Sequence, residues 1–308
     1  MRGKSSAATL GSGAIRSAAS PVPGRQRAGR RSRWAARGVA LRALPLVLYA
    51  LIAIVGPLIM PYDPITVQIG QRLKPPGTIL PDGRQALLGT DQVGHDMLAQ
   101  VVRGARISLL IGLSTVAVAG VVGSILGLIA GYFGRGIDNF LMRLADIQLA
   151  FPSILLAILI AAVLGPSIVN VIITLAFTRW VIFARVARAA TIVTKEREFV
   201  TAARASGAGT ARLLFRHIAP ALVAPFLVLA TVEMGLVIIA EASLSFLGLG
   251  TNASEPSWGL IIANGRDYLN TAWWIATMPG LALSSVVLSV GLFGDRLRDW
   301  LDPRLTGQ

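Results

Sequence analysis

Three ionisable side chains stand inside long apolar runs of this sequence: Arg179 in "LAFTRWVIF", Glu233 in "VLATVEMGLV" and Glu241 in "VIIAEASLS". A charge at the centre of a membrane helix costs roughly 2.5–3.5 kcal/mol on an insertion scale, so each is a functional candidate by default. Glu233 and Glu241 are eight residues apart, about 12 Å along a helix, and do not share one depth. Arg179 is the nearest counterpart to them in depth. Glu241 has a second reading as an end-of-helix residue near a membrane interface, because "EASLSFLGLG" leads straight out of the run.

Little else in the chain could do chemistry. There is no cysteine, which excludes disulfides and thiol catalysis, and His95 and His217 do not by themselves make a metal site. No G-x-x-x-x-G-K-[ST] phosphate loop, G-x-S-x-G elbow or H-E-x-x-H motif occurs, so the expectation is a chain that is not an enzyme, with no metal or nucleotide of its own.

The elements that carry these residues follow from composition. With 54% hydrophobic residues, 14% charged and a mean hydropathy of +0.66, the chain is far more apolar than soluble proteins, where about 25% of residues are charged. Apolar stretches long enough to span a bilayer occur at 43–62, 107–134, 147–165, 168–187, 221–246 and 273–293, the third and fourth divided by the turn sequence "GPS" at 165–167. The fold expected is all-α, a polytopic membrane bundle of six transmembrane helices. The second helix carries Gly120, Gly123, Gly127 and Gly131, small residues that let helices pack closely. Trp273 and Trp274 read as an interfacial aromatic belt.

Residues 1–42 hold ten Lys and Arg and no acid, and residues 185–216 hold seven more. Both segments are expected to be cytoplasmic. The chain then divides into a basic disordered cytoplasmic tail (1–42), a first transmembrane helix (43–62), an extracytoplasmic loop (63–106) and a five-helix core (107–308) with a cytoplasmic loop at 188–220. Amino and carboxyl termini lie inside. A net charge of +14 could also attract nucleic acid. The tail lacks interleaved aromatics and precedes a membrane helix, so topology explains it and no nucleic-acid partner is expected.

The stretch "EFVTAARASGAGTARLLFRHIAP", residues 198–220, is too charged to cross the membrane. Residues 196–206 are good helix formers, Ala202, Ala203 and Ala205 offer a small-residue surface, and Gly207 permits a turn. The alternative is an interfacial amphipathic helix with Leu213, Leu214 and Phe215 toward the membrane. The stretch resembles the cytoplasmic EAA loop of permease subunits of ATP-binding-cassette importers, with Thr201-Ala202-Ala203 in the E-A-A position, Gly207 at the turn and Pro220 at the end. Thr201 replaces a glutamate, and Ala219 stands where leucine is usual.

Six further stretches, "LLGTDQVGHDMLAQVVRGARISLLIGL" (87–113), "YFGRGIDNFLMRLADIQLAFPSILLAI" (132–158), "AEASLSFLGLG" (240–250), "PSWG" (256–259), "GRDYLNTAWW" (265–274) and "GDRLRDWLDPRL" (294–305), are similar to the dipeptide/oligopeptide/nickel permease family. His95 and Gln100 stand where arginines are usual. The resemblance covers about residues 35–305. It implies a multi-pass permease of the bacterial cell membrane forming half of a translocation pathway, with a cytoplasmic coupling helix. A homologous permease, two ATPase subunits that bind ATP and Mg, and an extracytoplasmic solute-binding protein would be its partners. The ATPase-docking residues would be Glu198, Thr201, Ala202, Ala203, Gly207, Ala208 and Pro220; the pathway candidates are Glu233, Arg179 and Glu241. The solute stays open among dipeptide, oligopeptide, nickel, glutathione and opine, and a secondary transporter is the other functional class.

Overall fold

The computed structural model describes residues 25–60, 68–81 and 83–301, with side chains from residue 41 onward. Among these, five helices are long and apolar enough to cross a membrane, and a bent helix pair supplies a sixth crossing if it counts as one span. They are α1 (Arg25–Ile59), α2 (Met97–Phe133), α5 (Ile168–Lys195), α8 (Ala219–Phe246) and α10 (Trp274–Leu301), with α3 (Arg135–Leu149) and α4 (Ser153–Leu164) as the bent pair. Short helices α6 (Glu198–Ala205), α7 (Thr210–Arg212) and α9 (Trp258–Gly265) complete the helical set.

The most extensive helix contact is between α2 and α5, and glycine makes it possible. A Cβ at Gly123 would press on the Trp180 carbonyl, one at Gly127 on the Ala184 carbonyl, and one at Gly131 would lie 2.8 Å from the Arg188 carbonyl. Without β-carbons the two backbones meet directly, and lipid-embedded helices depend on such dispersion contacts because lipid is as apolar as leucine. The core so formed contains Ile111 and Ala119 of α2, Leu175 and Phe183 of α5, and Val237 and Leu244 of α8. A second cluster seats α9 between α8 and α10 through Trp258, Ile261, Ile275 and Val286. Helix α1 lies outside and packs on α10 and α2, with the Tyr49 hydroxyl 2.5 Å from that of Ser285.

Several boundaries differ from those expected. The first helix begins at Arg25, so residues 25–42 of the expected disordered tail are helical; residues 1–24 lie outside the described residues. The second begins at Met97, capped by the Asp96 carboxylate, which accepts from the Leu98 N–H. At 37 residues it is about 55 Å long, so Arg103 and Arg106 ride on its protruding end rather than in a loop. The expected span 147–165 is broken at residues 150–152, where α3 and α4 meet at 86°. Pro152 precedes α4 and cannot donate the hydrogen bond that would continue α3. Helix α3 is fastened along α5 by Arg188, which donates to both oxygens of Asp138 (2.5 and 2.6 Å), and by Arg185, which donates to Asp146 (2.6 Å).

The segment 68–96 is also ordered. A two-stranded hairpin (β1 Thr78–Ile79, β2 Gln85–Ala86) leads to a turn built on Asp91, which accepts from the backbone N–H of Val93 (2.9 Å) and His95 (2.8 Å), from His95 Nδ1 (3.2 Å) and from Gln100 Nε2. Trp274 Nε1 donates to the Thr90 carbonyl at 3.0 Å and ties this turn to the start of α10. Trp274 is thus a structural anchor, while Trp273 stays half exposed.

Candidate docking loop and intramembrane ion pair

The loop at 196–218 is a small helical platform. Glu198 begins α6, which ends at Ala205 because Gly207 takes φ +82, a conformation that side chains with a β-carbon adopt at a cost of about 1–2 kcal/mol. After this turn α7 passes into a π-helical stretch, Leu213–Ile218, that joins α8 with Pro220 in its first turn, where proline's missing N–H is no loss. The wider π turn points Leu213, Leu214 and Ile218 inward, and with Val200, Leu128 and Ala187 they form one buried cluster.

That cluster sorts the docking candidates. Ala203 and Ala208 are partly buried against it, whereas Glu198, Thr201, Ala202, Gly207 and Pro220 are exposed. Ala205, also exposed, adds to the surface of α6. Of the three apolar residues that an interfacial helix would turn to the membrane, Leu213 and Leu214 are consumed by the chain's own core and only Phe215 is exposed. The platform therefore presents Thr201, Ala202 and Ala205, with Phe199 and Arg204 also exposed on α6, on a fixed base.

The membrane candidates fall into two places. Arg179 of α5 and Glu233 of α8 make an ion pair at 3.4 Å, with side-chain exposures of 16% and 3%. Both lie near the middle of their helices, so the charges compensate each other where water is scarce. Glu241 is fully buried at a different site. Its carboxylate accepts from Ser245 (2.7 Å) and Ser108 (3.4 Å), and Ser108 in turn accepts from the Trp258 N–H (3.2 Å). Glu241 stands five residues before the end of α8 at Phe246, near the helix end as the sequence suggests, but it is buried there rather than exposed. Glu241 joins α2, α8 and α9 within the chain. Residues 251–258 signalled nothing of this kind in sequence, yet Ser257 caps α9 and accepts from Thr251 (3.3 Å), closing the same hydroxyl cluster.

No group of three or more metal-ligating side chains occurs among the described residues. His95 instead serves Asp91, with its Nδ1 3.2 Å from the carboxylate. Burial opposes ionisation of Asp91, but hydrogen bonds from the His95 ring and from the backbone N–H groups of Val93 and His95 outweigh it and hold the carboxyl below its usual range.

Residues 123–307 match the family described as binding-protein-dependent transport system inner membrane component. The di/tripeptide transport system permease DppC of Pseudomonas aeruginosa is 43% identical over 262 residues, covering 84% of this chain and 86% of that one. The nickel transport system permease NikC of Escherichia coli is 38% identical over 274 residues, covering 89% and 96%. Among solved structures, the inward-facing MetNI methionine transporter shares the fold, with a TM-score of 0.54 and 17% identity over 67% of this chain and 98% of that one. A multi-pass membrane fold, an exposed small-residue platform and this kinship together place the chain in the family of binding-protein-dependent transport system inner membrane components, as a permease subunit of an ATP-binding-cassette importer.

Proposed function

We propose that this permease imports di- or oligopeptides, forming half of the translocation pathway with a homologous permease. Two ATPase subunits, which carry ATP and Mg, dock on α6, and a solute-binding protein delivers solute at the end bearing the 68–96 hairpin. The observation that carries the coupling role is the α6 platform. Its base is buried against α2, α5 and α8, so a displacement imposed on Thr201, Ala202 and Ala205 is passed to three membrane helices rather than absorbed by a loose loop. The seven basic residues of 185–216 favour the cytoplasm for this platform, and six crossings, with the bent pair α3–α4 taken as one, would put both termini there. Import proceeds by alternating access between the two permeases, and no bond is made or broken on this chain.

Peptide is the solute favoured by the di/tripeptide relative. Nickel is a second reading, favoured by the nickel permease that matches over 96% of its length. The test is uptake into proteoliposomes holding the complete transporter with its binding protein. ATP-dependent accumulation of labelled dipeptide, absent without binding protein, supports the proposal. Accumulation of nickel(II) in place of dipeptide overturns the solute, and transport driven by an ion gradient without ATP overturns the importer reading.

A further inference from the structure

Helix α8 is packed on most sides. Glu233 meets α5, a Cβ at Gly235 would touch Val287 of α10 at 3.6 Å, Val237 and Leu244 lie in the core, and a Cβ at Gly259 of α9 would press on Ala242. Along its second half, from Val232 to Phe246, one line of residues is left out. Val232, Leu236, Ile239 and Phe246 are 53, 43, 45 and 41% exposed, with Ser243 partly exposed between them. Steps of four, three, four and three residues keep these five side chains on one narrow strip, about 21 Å long at 1.5 Å per residue. Helix α1 shows instead a broad exposed face, with 6% of its span buried against 28% for the span that ends at Phe246.

Two features mark what the strip faces. Its Ile239–Phe246 end opens into a cavity of about 420 Å³ between α8, α9 and α10, lined by Ile239, Ser243, Phe246, Leu247, Ile262 and Leu283. Beside its other half stands the ion pair: Leu229 and Leu236 neighbour Glu233 on the helix surface at i−4 and i+3, and Glu233 holds Arg179. Among the described residues the Arg179 Nε, itself buried, has no hydrogen-bond partner. Intramembrane ionisable residues face a bundle interior or a water-filled cavity rather than hydrocarbon, and an opening of the α5–α8 contact would let water or a polar solute supply the missing acceptor.

We propose that the strip Val232, Leu236, Ile239, Ser243 and Phe246 is this chain's wall of the solute path, with the Arg179–Glu233 pair as the polar station beside it. The inference rests on the importer reading above and adds the residues and the ligand chemistry. A wall of apolar side chains and one hydroxyl makes few demands on the side chains of a passing solute. The guanidinium fork suits a carboxylate and the glutamate an ammonium group, the two ends that every unblocked peptide carries.

The natural absence of cysteine makes the test direct. Leu236, Ile239 and Ser243 are replaced singly by cysteine in the complete transporter held in nanodiscs, with Leu51→Cys on exposed α1 as the control. During ATP turnover with binding protein, modification by a charged thiosulfonate is timed with and without saturating dipeptide. The thiolate that reacts forms only in water, so strip positions should react on the order of tenfold faster than the control, and dipeptide should slow Ser243→Cys. Rates equal to the control overturn the proposal. Disulfide formation with the partner permease would then identify the strip as a subunit seam, and reaction only with a lipid-soluble maleimide would identify it as lipid-facing. ATP-driven uptake by the parent transporter separates the two readings: uptake with an unreactive strip sinks the strip alone, and no uptake sinks the importer reading and the strip with it.

Discussion

Glu233→Gln is the most informative single change in the membrane core. Two unit charges about 4 Å apart attract by about 4 kcal/mol at an effective dielectric constant of 20, and this pair is separated by 3.4 Å with little solvent to screen it. Much of that attraction offsets the desolvation of the two ions, so the intact pair contributes far less than 4 kcal/mol net. Removing one partner is a different matter. It leaves Arg179 charged and uncompensated between α5 and α8, at a cost of about 3–5 kcal/mol. Arg179→Met should cost a similar amount by stranding Glu233. The double replacement removes both charges and should cost less than the sum of the two by an interaction energy of about 1–3 kcal/mol. Unfolding of the four proteins in nanodiscs, followed by loss of the compact state with denaturant, reads the cycle directly. Additive single effects would refute the claim that these residues compensate each other. Uptake separates structure from transport: if the double variant regains stability but transports poorly, the charges act on the solute as well as on each other.

Other expectations follow from local geometry. Gly207→Val should reduce ATP-dependent uptake while leaving the chain in the membrane, because φ +82 disfavours a β-branched residue by at least about 1–2 kcal/mol and the turn orients α6; normal uptake by this variant would contradict the turn's role. Gly127→Val should lower folded yield, since its side chain meets the Ala184 carbonyl, a backbone atom that can move only if α2 and α5 separate; overpacking of this kind costs about 1–3 kcal/mol or more, measured as a loss of thermal stability. Asp91 has a pKa lowered by folding, so its contribution is fully present above the unfolded carboxyl value of about 3.9 and is lost as pH falls through the lower folded value. Asp91→Ala should therefore open residues 68–96 to protease at neutral pH, and the wild-type loop should resist until the medium is strongly acidic; equal resistance of both proteins at neutral pH would count against the hub.

What could be read from sequence, and what could not, divides along physical lines. A bilayer demands about 20 apolar residues per crossing, so α1, α5, α8 and α10 announce themselves. The break before α4 does not, because Pro152 lies within an uncharged run that continues on both sides. Arg103 and Arg106 looked like loop residues since charge normally marks the aqueous phase, but a helix can rise out of the membrane and keep its hydrogen bonds. Gly207 was legible as a turn because glycine is the residue that tolerates positive φ. The inward packing of Ala203 was not, since small residues suit a partner's surface and the chain's own core equally well. Contacts distant in sequence were hidden altogether: the Trp274 bond to Thr90 joins residues 184 positions apart, and the hydroxyls around Glu241 come from α2, α8 and the start of α9. The Arg179–Glu233 pairing was suggested by depth alone, and the structure supplies the geometry.

The most direct test of the coupling role is site-specific photo-cross-linking in the assembled transporter. A benzophenone side chain replaces Ala202 or Ala205 on the exposed surface of α6, and in a control replaces Asn139, which is exposed on α3. Docking through α6 predicts that residues 202 and 205 form adducts with the ATPase subunit and residue 139 does not. ATPase adducts from residue 139 alone, or none from 202 and 205 in a complex that still couples ATP hydrolysis to uptake, would contradict it.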